Sequence, residues 1–147
     1  MTHLEARIAF TRSVGILLAS ATAFGLDSIL NECLRSPEAA KWNATHCRVP
    51  ANGGRCEATP DASVHRVPAA GSHTFRPIGI ANSVHCLGLA VDFYLIDVDS
   101  GSISNARANY ARLGVVWKSL HALARWGGDF DDGHDIGHYS FEWKGRK

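Results

Sequence analysis

Two residue types that bind metal ions lie close together in the segment Ser83–Asp92. His85 supplies an imidazole and Asp92 a carboxylate, and both groups are common zinc ligands. Their offset of seven residues would put them on opposite faces of one uninterrupted strand, because side chains alternate along a strand. Gly88 lies between them, and a turn or bulge at this glycine would bring His85 back over the strand that carries Asp92.

A second pair of candidate residues lies in the run Asp135-Ile136-Gly137-His138. The imidazole of His138 would supply a third ligand, while the Asp135 carboxylate would face the open coordination position. Catalytic zinc sites combine three protein ligands, one water and a nearby base. Zinc lowers the pKa of its water from about 15.7 to about 7, and a carboxylate can then take the proton and pass it to a leaving amine. This set of side chains therefore suits hydrolysis of a peptide bond.

Three sequence blocks carry a resemblance to one enzyme family. They read SVHCLGLAVDF from Ser83, WGGDF from Trp126 and DIGHYSFEW from Asp135. These blocks and their order are similar to the zinc D,D-peptidase and L-alanyl-D-glutamate peptidase family, which includes VanY-type carboxypeptidases and many phage endolysins. In outline the resemblance covers Leu26 to Trp143, and the three blocks are its specific part.

The resemblance implies a role for each candidate residue. His85, Asp92 and His138 would bind Zn²⁺, and Asp135 would act as general base and general acid. Arg35, in the segment LRSPEAA, resembles the family's arginine that holds a substrate carbonyl or carboxylate. A guanidinium in that place would stabilise the tetrahedral oxyanion.

Two further residues are expected to lie at the substrate site. Ser83 could be mistaken for a nucleophile, but His85 is already assigned to the metal, so a hydrogen bond from Ser83 that orients the ligands is the preferred interpretation. Trp126, in WGGDF, either packs at the end of a helix or lines the substrate groove, and both interpretations stay open.

The third ligand has an alternative register. Asp131 and His134 form another D-x-x-H, so the assignment could slip by four residues. We prefer Asp135 and His138 because they directly precede the alternating segment YSFEW and lie at the family's usual distance beyond WGGDF. His134 would then lie at the rim of the site. The remaining histidines are interpreted as structural or solvated side chains: His3, His46, His65, His73 and His121.

Hydrophobic spacing predicts two main helices around these blocks. The first covers residues 4–24, and the second covers residues 105–125, where a pair of glycines would stop it. Ser36 before Pro37 has the form of an N-cap, so a short helix is expected over Glu38–Trp42.

Branched and aromatic residues predict the strands. Leu87–Val98 is the clearest and is expected at the centre of a sheet, HYSFEW gives a final strand, and Leu26–Cys33 reads as a short strand or helix. The Pro- and Gly-rich segment Asn43–Pro77 predicts a long functional loop or short irregular strands over the surface. We therefore expect an α+β fold, with a small antiparallel sheet that carries the zinc site between helices. The resemblance implies the D-Ala-D-Ala peptidase/Hedgehog-like form of that fold.

Length and composition favour one globular domain over residues 1–147. The chain has 147 residues, of which 46% are hydrophobic and 20% charged, which is enough for a hydrophobic core. A net charge of +1 without a long basic run argues against binding to nucleic acid. The four cysteines form no CxxC pair, which argues against an all-cysteine zinc site. Cys47 and Cys56 flank a turn and either pair or stay free.

One segment has some features of a targeting signal. Val14–Phe24 is apolar, follows two arginines and ends in small residues, but it is too short to span a bilayer. The apolar pattern continues through Leu26 and Leu30, which favours a buried helix. We expect no stable membrane insertion.

The expected function is zinc-dependent hydrolysis of an amide bond in the stem peptide of bacterial peptidoglycan, by a monomer. The resemblance implies a phage endolysin of the L-alanyl-D-glutamate endopeptidase type. Such an enzyme would stay in the host cytoplasm until a holin releases it, and would then act on the cell wall in the periplasm. Two alternatives stay open: a D-alanyl-D-alanine carboxypeptidase, and a non-catalytic zinc or cell-wall binding module.

Overall fold

The fold is described from a computed structural model. The structure describes residues 1–40, 46–48, 57–58, 64–66, 83–97, 99–130, 133 and 135–147. Several predictions fall wholly or partly outside these residues, among them the end of the short helix at Trp42, most of the long loop, the alternative pair Asp131 and His134, and the pairing of Cys47 with Cys56.

The first helix, α1, covers His3–Ala23. A capping box starts it, because the Thr2 side chain accepts a hydrogen bond from the Glu5 backbone N–H at 3.2 Å, and the Glu5 carboxylate accepts one from the Thr2 N–H at 2.7 Å. One face of α1 is buried at a helical spacing that includes Phe10, Leu17 and Ala21. Residues 14–23 are therefore part of a helix that packs on the core, as the apolar pattern indicates.

A four-stranded antiparallel sheet forms the body of the molecule. Its strands are β1 (Ser28–Glu32), β5 (Ala90–Leu95), β6 (Ala124–Trp126) and β7 (His138–Phe141), in the order β1-β5-β7-β6. Three short strands form a second antiparallel sheet in the order β2-β4-β3: β2 (His46–Arg48), β3 (Glu57–Ala58) and β4 (Val64–Arg66). The predicted α+β architecture with a small antiparallel sheet is confirmed.

Aromatic side chains join the helices to the main sheet. The second long helix, α2, covers Arg107–Leu120 and carries Trp117, which is fully buried. The Phe10 ring of α1 lies edge-on to the rings of Trp117 and Phe141, with centroids 5.6 and 5.4 Å apart. The Trp117 indole N–H donates to the carbonyl oxygens of Arg125 and Ser140, which lie on adjacent strands. This cluster holds β6 and β7 against both helices.

Two predicted element boundaries are wrong. The helix expected over residues 105–125 ends at Leu120, because His121 is extended and Ala124–Trp126 pairs with β7 instead. Pairing with a neighbouring strand outweighs the local helical pattern there. The strand expected over Leu87–Val98 is shorter, since a 3-10 helix over Val84–Leu87 precedes β5.

Shorter elements follow the sequence more closely. The segment read as strand or helix near Leu26–Cys33 contains strand β1, and residues 37–40 are helical. The Ser36 side chain accepts a hydrogen bond from the Ala39 N–H at 3.1 Å, as expected of an N-cap. None of the helices in the described part of the chain combines the length and apolar content needed to cross a bilayer.

Candidate metal centre

A tight turn places His85 over strand β5. Ser83 starts the 3-10 helix by accepting a hydrogen bond from the His85 N–H at 3.2 Å. Gly88 ends that helix with a φ of 65°, in the left-handed region that a side chain makes costly. The chain then enters β5, where Asp92 points toward the same site. The turn at Gly88 therefore brings His85 and Asp92 to one site despite their offset of seven residues, as the sequence predicts.

The third residue of the cluster comes from the neighbouring strand. His138 begins β7 and is the direct register partner of Asp92 on β5. The Asp92 Oδ1 atom lies 3.3 Å from His85 Nε2 and 3.2 Å from His138 Nδ1. The two ring nitrogens are 3.3 Å apart. One oxygen and two nitrogens, all able to bind a metal, therefore converge from three parts of the fold.

These three separations fit one tetrahedral metal ion. Bonds of 2.0 to 2.2 Å at tetrahedral angles put neighbouring ligand atoms about 3.3 to 3.5 Å apart. The side chains of His85 and His138 are only 3% and 8% exposed, and that of Asp92 is 15% exposed. The cluster could bind a metal ion. Two of its residues lie on paired strands of the main sheet, and the third lies on the 3-10 helix that precedes β5.

The environment of Asp92 keeps its carboxylate ionised. Burial alone would raise the pKa of this group, but hydrogen bonds from His138 and His85 outweigh it and hold the pKa of Asp92 well below its usual range. An ionised carboxylate between two imidazoles is an anionic ligand that is ready for a cation. On the opposite sides of the rings, His85 Nδ1 and His138 Nε2 are buried and have no hydrogen-bond partner among the described residues.

Asp135 lies beside the cluster without joining it. Its Oδ2 atom is 3.9 Å from His138 Nδ1, and its side chain is 57% exposed. The backbone holds the two residues in one turn, because the His138 N–H donates to the Asp135 carbonyl oxygen at 3.1 Å. A carboxylate that is open to solvent and close to a metal-facing nitrogen has the position of a proton acceptor for a water at the site.

Arg35 also lies near the cluster, on the side of β1. Its backbone N–H donates to the carbonyl oxygen of His85 at 3.3 Å. Its guanidinium forms an ion pair with Glu32 and is 12% exposed. Hydrogen bonds to Glu32 raise the pKa of Arg35, and the nearby negative charge of Asp92 adds to that effect.

The two residues assigned to substrate have structural contacts in this fold. Ser83 is 5% exposed and caps the turn that carries His85, which agrees with an orienting hydrogen bond. Trp126 is also 5% exposed, and its indole N–H donates to the Ile136 carbonyl oxygen at 2.8 Å. Burial leaves little of this indole for a substrate, so the packing interpretation of Trp126 has the better support.

The WGGDF block supports the turn that carries Asp135 and His138. A Cβ atom at Gly127 would lie 2.2 Å from the Asp135 carbonyl oxygen and 2.9 Å from the His138 Cβ, so only glycine fits there. Arg107 of α2 adds a second support by donating to the carbonyl oxygens of Gly128, at 2.7 Å, and Gly133. The glycine pair indicates a close backbone approach, but the sequence does not show that the approaching segment is the turn of Asp135 and His138. No sequence pattern identifies Arg107 as a support.

Gly127→Ala is expected to destabilise the protein by about 1 to 3 kcal/mol and to weaken metal binding, since the added methyl group displaces the Asp135–His138 turn. Thermal unfolding with and without zinc measures both effects. Gly15→Ala is the matched control, because in the middle of α1 its added Cβ meets no atom within 4 Å outside the backbone of its own helix and its two chain neighbours. This control should be neutral or stabilising by about 0.5 to 1 kcal/mol. Equal metal affinity in Gly127→Ala and wild type would refute the support role.

Other residues from the sequence analysis lie away from the described cluster. His3 bonds to the Leu87 carbonyl oxygen at 3.0 Å, and His121 stacks on Phe141 with centroids 4.6 Å apart. Cys33 and Cys86 are free cysteines. The following residues lie outside the part of the chain whose side chains the structure describes: His46, His65, His73, Cys47, Cys56, Asp131 and His134.

Comparison with known proteins finds this fold in a solved structure. The crystal structure of the L-Ala D-Glu endopeptidase ChiX of Serratia marcescens matches with a TM-score of 0.54 and 19% sequence identity. The match covers 90% of this chain and 77% of ChiX. No family model and no curated protein matches the sequence. The chain is therefore similar in fold to this endopeptidase.

Proposed function

We propose that this protein is a zinc-dependent peptidase that hydrolyses an amide bond in the stem peptide of bacterial peptidoglycan. The observation that carries the proposal is the convergence of His85 Nε2, Asp92 Oδ1 and His138 Nδ1 at separations of 3.2 to 3.3 Å, with Asp135 beside them. The fold of ChiX, an L-Ala D-Glu endopeptidase, supports the same reaction class.

The chemistry of the ligand atoms favours zinc. Two imidazole nitrogens and one carboxylate oxygen form a common catalytic zinc set, with a fourth position left for water. The atoms come from a 3-10 helix and two central strands, so regular secondary structure holds all three of them in position. Such preorganisation suits a catalytic metal, because the ligands do not have to reorganise during the reaction.

When bound, zinc would lower the pKa of a water and polarise the scissile carbonyl group. Asp135 would take the proton of that water at its exposed carboxylate and then give it to the leaving amine. Arg35 would donate hydrogen bonds to the carbonyl oxygen as negative charge develops there. The buried rings of His85 and His138 would keep the ligand atoms fixed throughout.

We also propose the finer setting that the resemblance implies. The bond would be that between L-alanine and D-glutamate, and the biological role would be that of a phage endolysin. The protein would act as a monomer, remain in the host cytoplasm until holin-mediated release, and reach the cell wall from the periplasmic side. The activity of ChiX, an L-Ala D-Glu endopeptidase, supports this choice of bond.

Chelation is expected to abolish the activity, and zinc to restore it. The assay follows the turbidity of purified Gram-negative peptidoglycan and identifies the released fragments by mass spectrometry, with and without a chelator. Fragments that carry a new D-glutamate amino terminus would establish the endopeptidase. Release that is unchanged after complete metal removal would contradict the proposal.

A carboxypeptidase is the second candidate, because the guanidinium of Arg35 suits a free terminal carboxylate. The same experiment separates the two candidates. Loss of a single terminal D-alanine without solubilisation of the wall would show the carboxypeptidase. Wall binding by the zinc-loaded protein without any cleavage would show a non-catalytic module.

A further inference from the structure

The carboxylate of Glu32 lies side-on to the guanidinium of Arg35, and two hydrogen bonds join the groups. Arg35 Nε donates to Glu32 Oε1 at 2.9 Å, and Arg35 Nη2 donates to Glu32 Oε2. Such two-point pairs fix the plane of the guanidinium as well as its place. The two side chains are 12% and 28% exposed, so water screens this pair less than it screens a pair on an open surface.

Both residues of this pair contact backbone segments that carry residues of the candidate metal cluster. Glu32 ends β1 and is the register partner of Asp92, after a shift in register between Leu30 and Glu32. Arg35 is tied through its backbone N–H to the carbonyl oxygen of His85. The ion pair therefore has a defined position relative to two of the three candidate ligands.

The contact with Glu32 leaves half of the guanidinium for another partner. A guanidinium has five N–H donors in a planar fork. Glu32 takes the Nε–H and one hydrogen of Nη2, which form one edge of the plane. The Nη1–Nη2 edge, with one hydrogen of each nitrogen, has the geometry to bind a carbonyl or carboxylate oxygen.

We infer that Glu32 is a positioning residue, which sets the plane of Arg35 so that the Nη1–Nη2 edge faces the substrate. The inference rests on the proposed function of Arg35 and deepens it. Without Glu32 the long arginine side chain would have a choice of rotamers, and the negative charge of Asp92 would still act on it. Glu32 thus keeps the guanidinium oriented toward substrate and away from the metal ligand.

Kinetics of the zinc-loaded protein test this role. Glu32→Gln is expected to lower kcat about 10- to 100-fold with unchanged metal content, as for the loss of other orienting partners. In an Arg35→Ala background, the same change is expected to have no further effect, because the group that it orients is gone. A full kcat in Glu32→Gln, or a loss that adds to that of Arg35→Ala, would overturn the inference.

A matched control separates positioning from general stability. Arg125 and Glu142 form a similar pair, with Nε and Oε2 2.9 Å apart, that is not part of the cluster. Glu142→Gln should keep kcat within about twofold, since an ion pair whose side chains are 37% and 36% exposed contributes little to stability and lies outside the cluster. Glu32→Asp, which keeps the charge, should recover part of the activity lost in Glu32→Gln.

A readout without substrate keeps this inference distinct from the proposed function. In ¹⁵N-labelled protein, the Nε–H signal of Arg35 should be sharp and slow to exchange, and Glu32→Gln should broaden it. Identical signals in the two proteins would show that Glu32 does not hold Arg35. If the wild type cleaves no peptidoglycan while this signal still depends on Glu32, the proposed function fails and the positioning of Arg35 stands.

Discussion

Asp135→Ala is expected to lower kcat by about 100- to 10,000-fold while the protein stays folded and keeps its metal. The carboxylate is 57% exposed, so its removal leaves no cavity in the core. It lies 3.9 Å from His138 Nδ1, beside the ligand cluster but not within it. The measurement is kcat on a soluble stem-peptide fragment, with metal content and thermal unfolding recorded for the same sample.

Asp129→Ala is the matched control for this variant. Its carboxylate is 49% exposed and pairs with Lys118, so its loss should leave kcat within about twofold. Full activity in Asp135→Ala would remove this residue from the reaction, and Asp131 would become the next candidate for the base. Loss of metal in Asp135→Ala would instead make it a ligand.

His138→Ala is expected to have the largest effect on metal binding, with content falling from about one ion per chain to near zero. The ring carries one of the three clustered atoms that could bind a metal ion, and the residue is only 6% exposed, so no other described residue is placed to take over its role. Elemental analysis after gel filtration measures the content. Activity should fall with it, because the site then lacks its Lewis acid.

His121→Ala is the control for the loss of a ring from this part of the fold. Its imidazole stacks on Phe141 and lies outside the cluster, so the variant should lose stability and keep its metal. Normal metal content in His138→Ala, together with loss of metal in His134→Ala, would show that the ligand register is shifted by four residues.

Local sequence together with the family resemblance predicted the residues that meet at the candidate centre. Asp92 stood out because an unpaired carboxylate is costly in an apolar strand, which points to a cation or a hydrogen-bonding partner. Gly88 gave the turn that the seven-residue offset required, and its φ of 65° is the local solution. His138 was preferred because it directly precedes the segment YSFEW and lies at the resembling family's usual distance beyond WGGDF, and its register opposite Asp92 brings the two residues together.

Contacts between distant segments were not accessible in this way. The position of the Glu32–Arg35 pair beside Asp92 depends on the register of β1 against β5, which no local pattern predicts. The helix end at Leu120 depends on β6 pairing with β7, although residues 121–125 look helical by spacing. The fit of Gly127 under Asp135 depends on two backbones that approach only after folding.

The order of strands β1-β5-β7-β6 also predicts unequal local stability within the candidate site. Asp92 and His138 belong to β5 and β7, each of which is paired on both sides in the four-stranded sheet, whereas β1 is paired in that sheet only with β5. Amide hydrogen exchange commonly shows that such outer segments open at a lower free energy than the centre. Arg35 follows β1 directly. Partial opening of β1 would therefore release the guanidinium while the cluster of His85, Asp92 and His138 stays assembled, so the proposed contact of Arg35 with substrate would be lost before the candidate metal site.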